Sequence, residues 1–176
     1  MREIYLDVCE LSTKKTELSA GDRIFLSGTV YTARDAVHKK INSALDNGES
    51  LPFDIQNAVI YYAGPTPTPT NLAIGSCGPT TSNRMDAFTP RLMDLGLAAM
   101  IGKGNRSQKV IDSMKKNSVV YFCAIGGAGA LYARCVFSCK EIAFFELGCE
   151  SVKELVIKDF PLIVGIDSFG SSIFRN

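Results

Sequence analysis

Short runs of β-branched and aromatic residues alternate with helical patterns along most of this chain. Gly, Pro or Asn bounds most of these runs, as expected at strand ends. The strands that they predict cover residues 22–30, 58–63, 97–101, 119–125, 142–146, 152–157 and 162–166. Strands that alternate with helices predict an α/β fold with a partly parallel central sheet.

Three segments between the predicted strands have helical spacing. They cover residues 34–46, 82–95 and 107–116. In the first, Val37, Ile41 and Leu45 share one face, and Gly48 follows as a stop signal. Ser107 is the expected N-cap of the third. Because the first and last thirds of the chain are richer in strands, we expect a second, antiparallel sheet.

Length and charge exclude several classes of protein. The 176 residues have the usual length of one domain, and 46% hydrophobic with 21% charged residues excludes disorder. Lys plus Arg is 19 against 18 Asp plus Glu, which lacks the basic surplus of a nucleic-acid binder. No apolar run reaches the roughly 18 residues of a membrane span. Because the N-terminus is charged rather than apolar, it is no signal peptide, so we expect a cytoplasmic chain with no membrane partner.

The six cysteines do not form a metal-binding pattern. None belongs to a CxxC pair, and the closest spacing is Cys135/Cys139. Zinc and ferredoxin-like sites use closer and more regular spacings. We therefore expect no metal ligands on this chain and interpret most of the cysteines as small buried hydrophobic residues in a reducing compartment.

One segment, 64–70 (GPTPTPT), is of low complexity. Its three prolines favour an extended polyproline conformation without ladder hydrogen bonds. A stiff surface loop and a spacer that positions the next segment are both compatible with this pattern. We favour a rigid loop near a functional site.

The first polar cluster, residues 28–38 (GTVYTARDAVH), follows a predicted strand. Arg34 lies near a helix start, where a cation opposes the helix dipole unless it binds an anion together with the helix N–H groups. Alternatively, Asp35 caps the helix and Arg34 is a surface charge. His38, the only histidine, is interpreted as a hydrogen-bonded structural residue.

The second polar cluster covers residues 74–86 (IGSCGPTTSNRMD). Gly75 and Gly78 allow turns that other residues cannot adopt. Thr80 or Thr81 is a candidate N-cap whose neighbouring N–H groups form an anion cradle. Arg84 follows Thr80 by four residues, so a hydroxyl and a guanidinium share one face. A well-capped helix with a surface arginine is the alternative, but the run of small residues is longer than a cap requires.

Two glycine-rich segments complete the set. Lys103 in 101–104 (IGKG) lies between glycines at a strand end but lacks the spacing of a nucleotide-binding P-loop. The segment 126–130 (GGAGA) departs from the dinucleotide pattern and predicts tight strand-to-helix packing. Two arginines, a lysine and a threonine at loop positions suit the two carboxylates of a small dicarboxylate.

Together, these motifs resemble the beta subunit of class I fumarate hydratases and L(+)-tartrate dehydratases. The matching segments, in the family's order, are 32–38, 78–86, 101–104, 126–127, 146–148 and 159–161. They span nearly the whole chain, and the combination of TARDAVH with GPTTSNRMD is highly specific. One departure is Asn83, which stands where the family pattern has glycine.

The resemblance implies a three-layer β/β/α swivelling domain over residues 1–176 and a hydro-lyase that converts fumarate to L-malate reversibly. It also implies a [4Fe–4S] cluster held by a separate alpha subunit, whose open iron acts as a Lewis acid on the substrate. Since the sequence starts at residue 1 with its own strand, we expect a separate beta subunit in a hetero-oligomer, active only with its alpha subunit.

Site residues carry over by the same resemblance. Arg34, Arg84 and Lys103 would bind the substrate carboxylates, and Thr80 would bind substrate and abstract the proton. The supporting residues would be Asp35, Thr81 and Gly78, with Asp35 paired to one of the arginines. Two alternatives stay open: an L(+)-tartrate dehydratase beta subunit, and a non-catalytic anion-binding or assembly module.

Overall fold

A computed structural model describes residues 2–174 and contains one seven-stranded mixed sheet. Five strands run parallel to their neighbours, and two later strands, β6 and β7, pair antiparallel. In chain order the strands are β1 (Glu3–Asp7), β2 (Arg23–Thr32), β3 (Val59–Tyr61), β4 (Ala99–Gly102), β5 (Val120–Cys123), β6 (Val136–Ala143) and β7 (Val152–Ile166). The prediction of an α/β fold with a partly parallel sheet is confirmed.

Strand β7 closes the sheet on itself. The spatial order is β1-β2-β3-β4-β5-β7-β6, and β7 also pairs with β2. The expected second antiparallel sheet is therefore not separate, because its strands belong to the same hydrogen-bonded sheet. The three-layer swivelling arrangement that the resemblance implies stays a prediction.

The two short strands predicted at 152–157 and 162–166 are the two ends of β7. Opposite Ser27 of β2, β7 carries one extra residue, because Leu26 pairs with Phe160 and Gly28 with Ile157. Such an extra residue forms a bulge that bends a strand without ending it. The gap that the sequence analysis placed between residues 157 and 162 is therefore a bulge within one strand.

The helices are α1 (Leu11–Lys14), α2 (Asp35–Asp46), α3 (Thr89–Asp94), α4 (Gln108–Asn117) and α5 (Gly129–Arg134). Helices α2 and α4 confirm two predictions, although the Ser107 side chain makes no capping bond. Within residues 2–174, none of the helices combines the length and apolar character needed to cross a membrane.

Two predicted elements are wrong in extent. The helix expected over 82–95 is divided into a 3-10 turn, Ser82–Met85, and α3, which has a proline in its first turn. The strand expected over 142–146 ends at Ala143, because Phe144 adopts a left-handed φ of 55° and a 3-10 segment, Phe145–Glu150, follows. No bounds were predicted for helix α5, although the glycine-rich segment 126–130 indicated a strand-to-helix connection at its start.

The central strands are buried on both faces. In β3, Val59 and Tyr61 belong to one apolar cluster, and Ile60 belongs to the other. Residues of β2 and β7 complete the first cluster, while residues of α2, α3 and α4 complete the second. This double burial explains why the strands are continuous apolar runs, and it leaves the functional polar residues to the loops at the strand ends.

We expect Phe160→Ala to lower the free energy of unfolding by about 3–5 kcal/mol, because a cavity would replace a fully buried ring. Phe160 stacks on Tyr132 at 4.6 Å between ring centroids and meets Tyr61 edge-on at 5.4 Å. Urea unfolding measures the change. The exposed Phe169 provides the control, since Phe169→Ala should change stability by about 0.5 kcal/mol or less. Equal losses in the two variants would contradict this packing.

Candidate functional site

The candidate site lies at the carboxyl ends of four adjacent parallel strands. Arg34 follows β2 by two residues, and Gly64 follows β3 by three. Lys103 follows β4 directly, and Gly126 follows β5 by three residues. Because neighbouring parallel strands end at the same edge of a sheet, these loops lie side by side. This edge is where α/β folds place ligands.

The segment 78–86, which we call the signature loop, is hydrogen-bonded to the ends of β3 and β4. The Thr80 N–H donates to the Tyr62 carbonyl at 2.6 Å, and the Ser82 N–H donates to the Lys103 carbonyl at 2.9 Å. Thr81 also forms an isolated parallel bridge with Lys103. Backbone bonds on both sides therefore fix the half-buried Thr80 between the two strand ends.

These bonds correct two predictions. Thr81 occupies the N-cap position of the 3-10 turn, but its side chain makes no capping bond. The N–H groups next to this cap were expected to form an anion cradle, but those of Thr80 and Ser82 are already paired with carbonyl oxygens. These two N–H groups are therefore not available to an anion, and the side chains of the loop are its remaining candidate anion ligands.

Ser82 locks the signature loop against β4 and β5. Its buried hydroxyl lies 2.8 Å from the Tyr121 hydroxyl, which in turn donates to the Gly104 carbonyl at 2.8 Å. Burial raises the pKa of Tyr121, so the phenol keeps its proton and acts as a donor. A Cβ on Gly102 would lie 2.0 Å from the Ser82 Oγ, so only glycine fits there.

Arg84 is held by Asp35. Its Nε donates to Asp35 Oδ1 at 2.9 Å, and its Nη2 lies 2.8 Å from Oδ2. The pair joins the signature loop to the start of α2 and confirms that Asp35 pairs with an arginine. Asp35 does not cap the helix, because Arg34 occupies the N-cap position and makes no side-chain capping bond.

Arg34 is half-buried beside Glu150 and the proline-rich loop. Its Nη2 lies 3.0 Å from Glu150 Oε1. The guanidinium packs on the backbone of Gly64, where a Cβ would come within 2.6 Å of Nη1. Its buried Nε has no hydrogen-bond partner in the part of the chain that the structure describes. Glu150 carries no local sequence signal and was missed.

Lys103 differs from the two arginines. Its side chain is half-buried beside Gly126, where a Cβ would lie 3.7 Å from Nζ. Among residues 2–174, no carboxylate forms an ion pair with Lys103. The ammonium group therefore faces the edge of the sheet without a counter-charge from this region of the chain.

Close backbone approaches explain the remaining glycines. A Cβ on Gly75 would lie 2.1 Å from the Thr66 carbonyl oxygen, and Gly78 packs on Gly129. Neither Gly75 nor Gly78 has a positive φ, so the expected special turns are wrong. Ser76 exchanges hydrogen bonds with Thr66, which ties the proline-rich loop to the residues before the signature loop.

A third arginine, Arg106, was missed by the sequence analysis. It is almost fully buried, and its Nε donates to Asp86 Oδ1 at 2.7 Å. The guanidinium lies 5.2 Å from the Tyr121 ring centroid and 5.4 Å from that of Tyr62. Asp86 Oδ2 accepts from the Ser107 N–H at 2.6 Å. This buried pair anchors the end of the signature loop to the loop that follows β4.

His38 has the structural role that the sequence indicated. The ring is fully buried, and Nδ1 donates to the Arg34 carbonyl at 2.9 Å. Burial lowers its pKa to about 4. The imidazole is therefore neutral at neutral pH and holds the first turn of α2.

The described residues do not fit a metal or cluster site. Between residues 2 and 174, no three His, Cys, Asp or Glu side chains are placed to hold a metal ion. Burial raises the pKa of Cys77 to about 12 and that of Cys123 to about 11, so both thiols keep their protons in the chain as it stands.

Sequence comparison defines the class of protein. Over residues 1–176 the sequence matches the family described as the fumarase C-terminus, and the chain belongs to this family. It is 41% identical over 171 residues to the putative L(+)-tartrate dehydratase subunit beta of Methanocaldococcus jannaschii, covering 93% of this chain and 88% of that protein. The resemblance inferred from the motifs is confirmed.

Other relatives are longer. The chain is 38% identical over 168 residues to the aerobic class I fumarate hydratase of Escherichia coli strain K12, covering 94% of this chain but 31% of that protein. It is 40% identical over 163 residues to fumarate hydratase 2 of Leishmania major, covering 90% of this chain and 28% of that protein. The chain thus spans about a third of the length of these fumarate hydratases.

We expect Asp86→Asn to lower the free energy of unfolding by about 3–5 kcal/mol, because it leaves the buried charge of Arg106 without a counter-ion. Chemical denaturation measures the loss. Asp46→Asn breaks an exposed pair with Arg91 and should cost about 1 kcal/mol or less. Similar losses in the two variants would refute the anchoring role of Asp86.

His38 should make stability depend on pH. Its pKa is about 4 in the folded chain against 6.5 for an ordinary histidine. Between these values the unfolded chain binds a proton that the folded chain excludes. Stability should therefore fall as the pH drops through this window, by about 3 kcal/mol. Unfolding curves for wild type and His38→Gln test this, because parallel pH dependences would show that His38 contributes nothing.

Proposed function

We propose that this chain is the beta subunit of a class I fumarate hydratase that interconverts fumarate and L-malate. One observation carries the proposal: Arg34, Arg84 and Lys103 share with Thr80 the edge where β2, β3 and β4 end. Three cations around a hydroxyl suit a small dianion with a reacting carbon between its two carboxylates.

The cations contribute in different ways. Asp35 engages Nε and Nη2 of Arg84, so Nη1 is the guanidinium nitrogen left to donate to a substrate carboxylate. Glu150 similarly holds one Nη of Arg34. Since each guanidinium already has a counter-charge, Lys103, which has no carboxylate partner among residues 2–174, provides the net attraction for the dianion. The pairs orient their arginines before substrate arrives, which lowers the entropic cost of binding.

Thr80 is the proposed proton-abstracting hydroxyl. A neutral threonine hydroxyl is a very weak base, so it can take a proton from the substrate only as its own proton passes to a base that the alpha subunit would supply, with neighbouring cations assisting. In the dehydration direction the hydroxyl group leaves from the adjacent carbon, so that the proton and the hydroxide together are lost as water. Abstraction of a proton next to a carboxylate leaves charge on that carboxylate, which Arg84 is placed to stabilise as the charge develops. The backbone bonds of Thr80 and Thr81, together with the packing of Gly78, support this position.

The proposal includes a partner. Residues 1–176 would form one swivelling domain of a cytoplasmic hetero-oligomer, and the enzyme would be active only with its alpha subunit. The [4Fe–4S] cluster would be bound by that subunit. Two facts support this division: the fumarate hydratase relatives are about three times as long as this chain, and one relative is named as a beta subunit.

A tartrate dehydratase is the second candidate. The M. jannaschii relative with that name is matched over 88% of its length, more completely than the fumarate hydratases. L-tartrate carries one hydroxyl more than L-malate, so the choice depends on space in a pocket that both subunits line. A non-catalytic module would bind dicarboxylates without turnover.

The direct test is anaerobic co-expression with the alpha subunit, followed by an assay of fumarate loss through its ultraviolet absorbance. Activity in the complex but in neither chain alone would support the proposal. L-tartrate offered as a substrate distinguishes the second candidate. A cluster-loaded complex that converts neither compound would refute both enzymatic assignments.

Within the active complex, we expect Arg84→Lys to lower kcat/KM by about 10- to 100-fold, because lysine cannot keep the two-point contact with Asp35 while donating to substrate. Steady-state kinetics measure the loss. Arg91→Lys is the matched control, since Arg91 pairs with Asp46 on an exposed surface. If Arg84→Lys kept the wild-type kcat/KM, the proposed contact between Arg84 and the substrate would be wrong.

A further inference from the structure

Where β1, β2, β7 and the end of β5 lie side by side, one side of the sheet is apolar and uncovered. The ladder places Tyr5 beside Phe25 and Phe25 beside Pro161. In the next row, Ile163 of β7 pairs with both Arg23 of β2 and Cys123 of β5. Paired residues point to the same side of a sheet, and alternate residues of one strand share a face. These residues therefore form one continuous surface across β1, β2, β7 and β5, which we call the outer face.

The opposite side of the same strands is core. Ile24 is fully buried and Leu162 is nearly so, and both belong to the main apolar cluster. On the outer face, Tyr5 is 68% exposed and stacks on Phe25 at 4.8 Å between ring centroids. Sheets with parallel strands normally bury both faces. In the region of β1, β2 and β7, however, this sheet buries only the side that carries Ile24 and Leu162.

The outer face contains a groove of about 220 Å³. On the outer face its lining residues are Arg23, Phe25, Cys123, Ile125, Pro161 and Ile163. Arg23 is the one charged residue among them, and its guanidinium lies 3.0 Å from Glu3. A groove that is apolar and locally neutral suits an apolar protein segment rather than an anion or a nucleic acid.

The groove is continuous with the candidate site. Ile125, which is 61% exposed, lies at the end of the groove directly before Gly126, where the Lys103 side chain rests. The Ile125 N–H donates to the Tyr132 hydroxyl at 2.6 Å, which fixes this corner. A polypeptide seated in the groove would therefore pass beside Lys103.

We propose that the outer face, from Tyr5 beside Phe25 across the groove to Ile125, is the docking surface for the alpha subunit. The partner rests on the proposed function, and the length of the relatives supports it, because about two thirds of the E. coli fumarate hydratase lies outside the matched region. A second copy of this chain fits less well, since a twofold contact at Ile125 would bring two unpaired Lys103 groups toward one interface.

The test is the affinity of the purified chain for the alpha subunit, measured by titration calorimetry under anaerobic conditions. We expect the double variant Tyr5→Glu/Ile125→Glu to raise Kd by on the order of 30-fold or more, because it puts charges into an apolar contact. Both side chains are exposed, so the free variant should fold, which circular dichroism checks. Phe137→Glu, 66% exposed on β6, is the control and should keep the wild-type Kd.

The outcomes separate this proposal from the proposed function. A complex that forms, depends on Tyr5 and Ile125 and lacks activity on either substrate supports docking and refutes the proposed function. An active complex that the double variant forms with wild-type affinity refutes docking alone. Failure of the wild-type chain to bind the alpha subunit, or sedimentation showing a homodimer that the same substitutions dissociate, also overturns the docking proposal.

Discussion

Strand β7 hydrogen-bonds to β2, β5 and β6, and this shared pairing determines where every other part of the molecule lies. Its contact with β2 closes the sheet, so one face of β3, β4 and β5 packs against β2 and β7 while the other packs against helices. The polar loops are thereby confined to the strand ends. The same strand carries Pro161 and Ile163 on the outer face, so the proposed docking surface also depends on it.

The candidate site combines rigid supports with one unpaired cation. The buried Arg106–Asp86 pair and the Ser82–Tyr121 hydrogen bond fix the signature loop on its buried side. At the edge of the sheet, Arg34 and Arg84 are already paired with carboxylates, whereas Lys103 has no such partner among the described residues. A site built this way has its geometry before a ligand binds. Preorganised charge of this kind is what stabilisation of a developing carboxylate charge requires.

Local patterns predicted the parts of the fold that depend on local physics. Helices α2 and α4 follow from apolar spacing and stop signals, and the central strands follow from β-branched runs. The helix expected over 82–95 is divided because Asp86 accepts a hydrogen bond from the distant Arg106 and because Pro90 lies in the first turn of a separate helix. Similarly, the local sequence does not distinguish the bulge in β7 from a turn. The distinction depends on β2, which pairs with β7 on both sides of the bulge and lies far away in the chain.

The sequence by itself determined the fold class, the family and the set of polar loops. Periodicity is a local property of each segment, and the order and spacing of the motifs can be read directly along the chain. Only the tertiary structure decided that Asp35 holds Arg84, that Glu150 holds Arg34 and that Arg106 supports the signature loop. It also decided that the outer face is uncovered. Such contacts join residues far apart in sequence, and the strand register that brings them together is a property of the closed sheet as a whole.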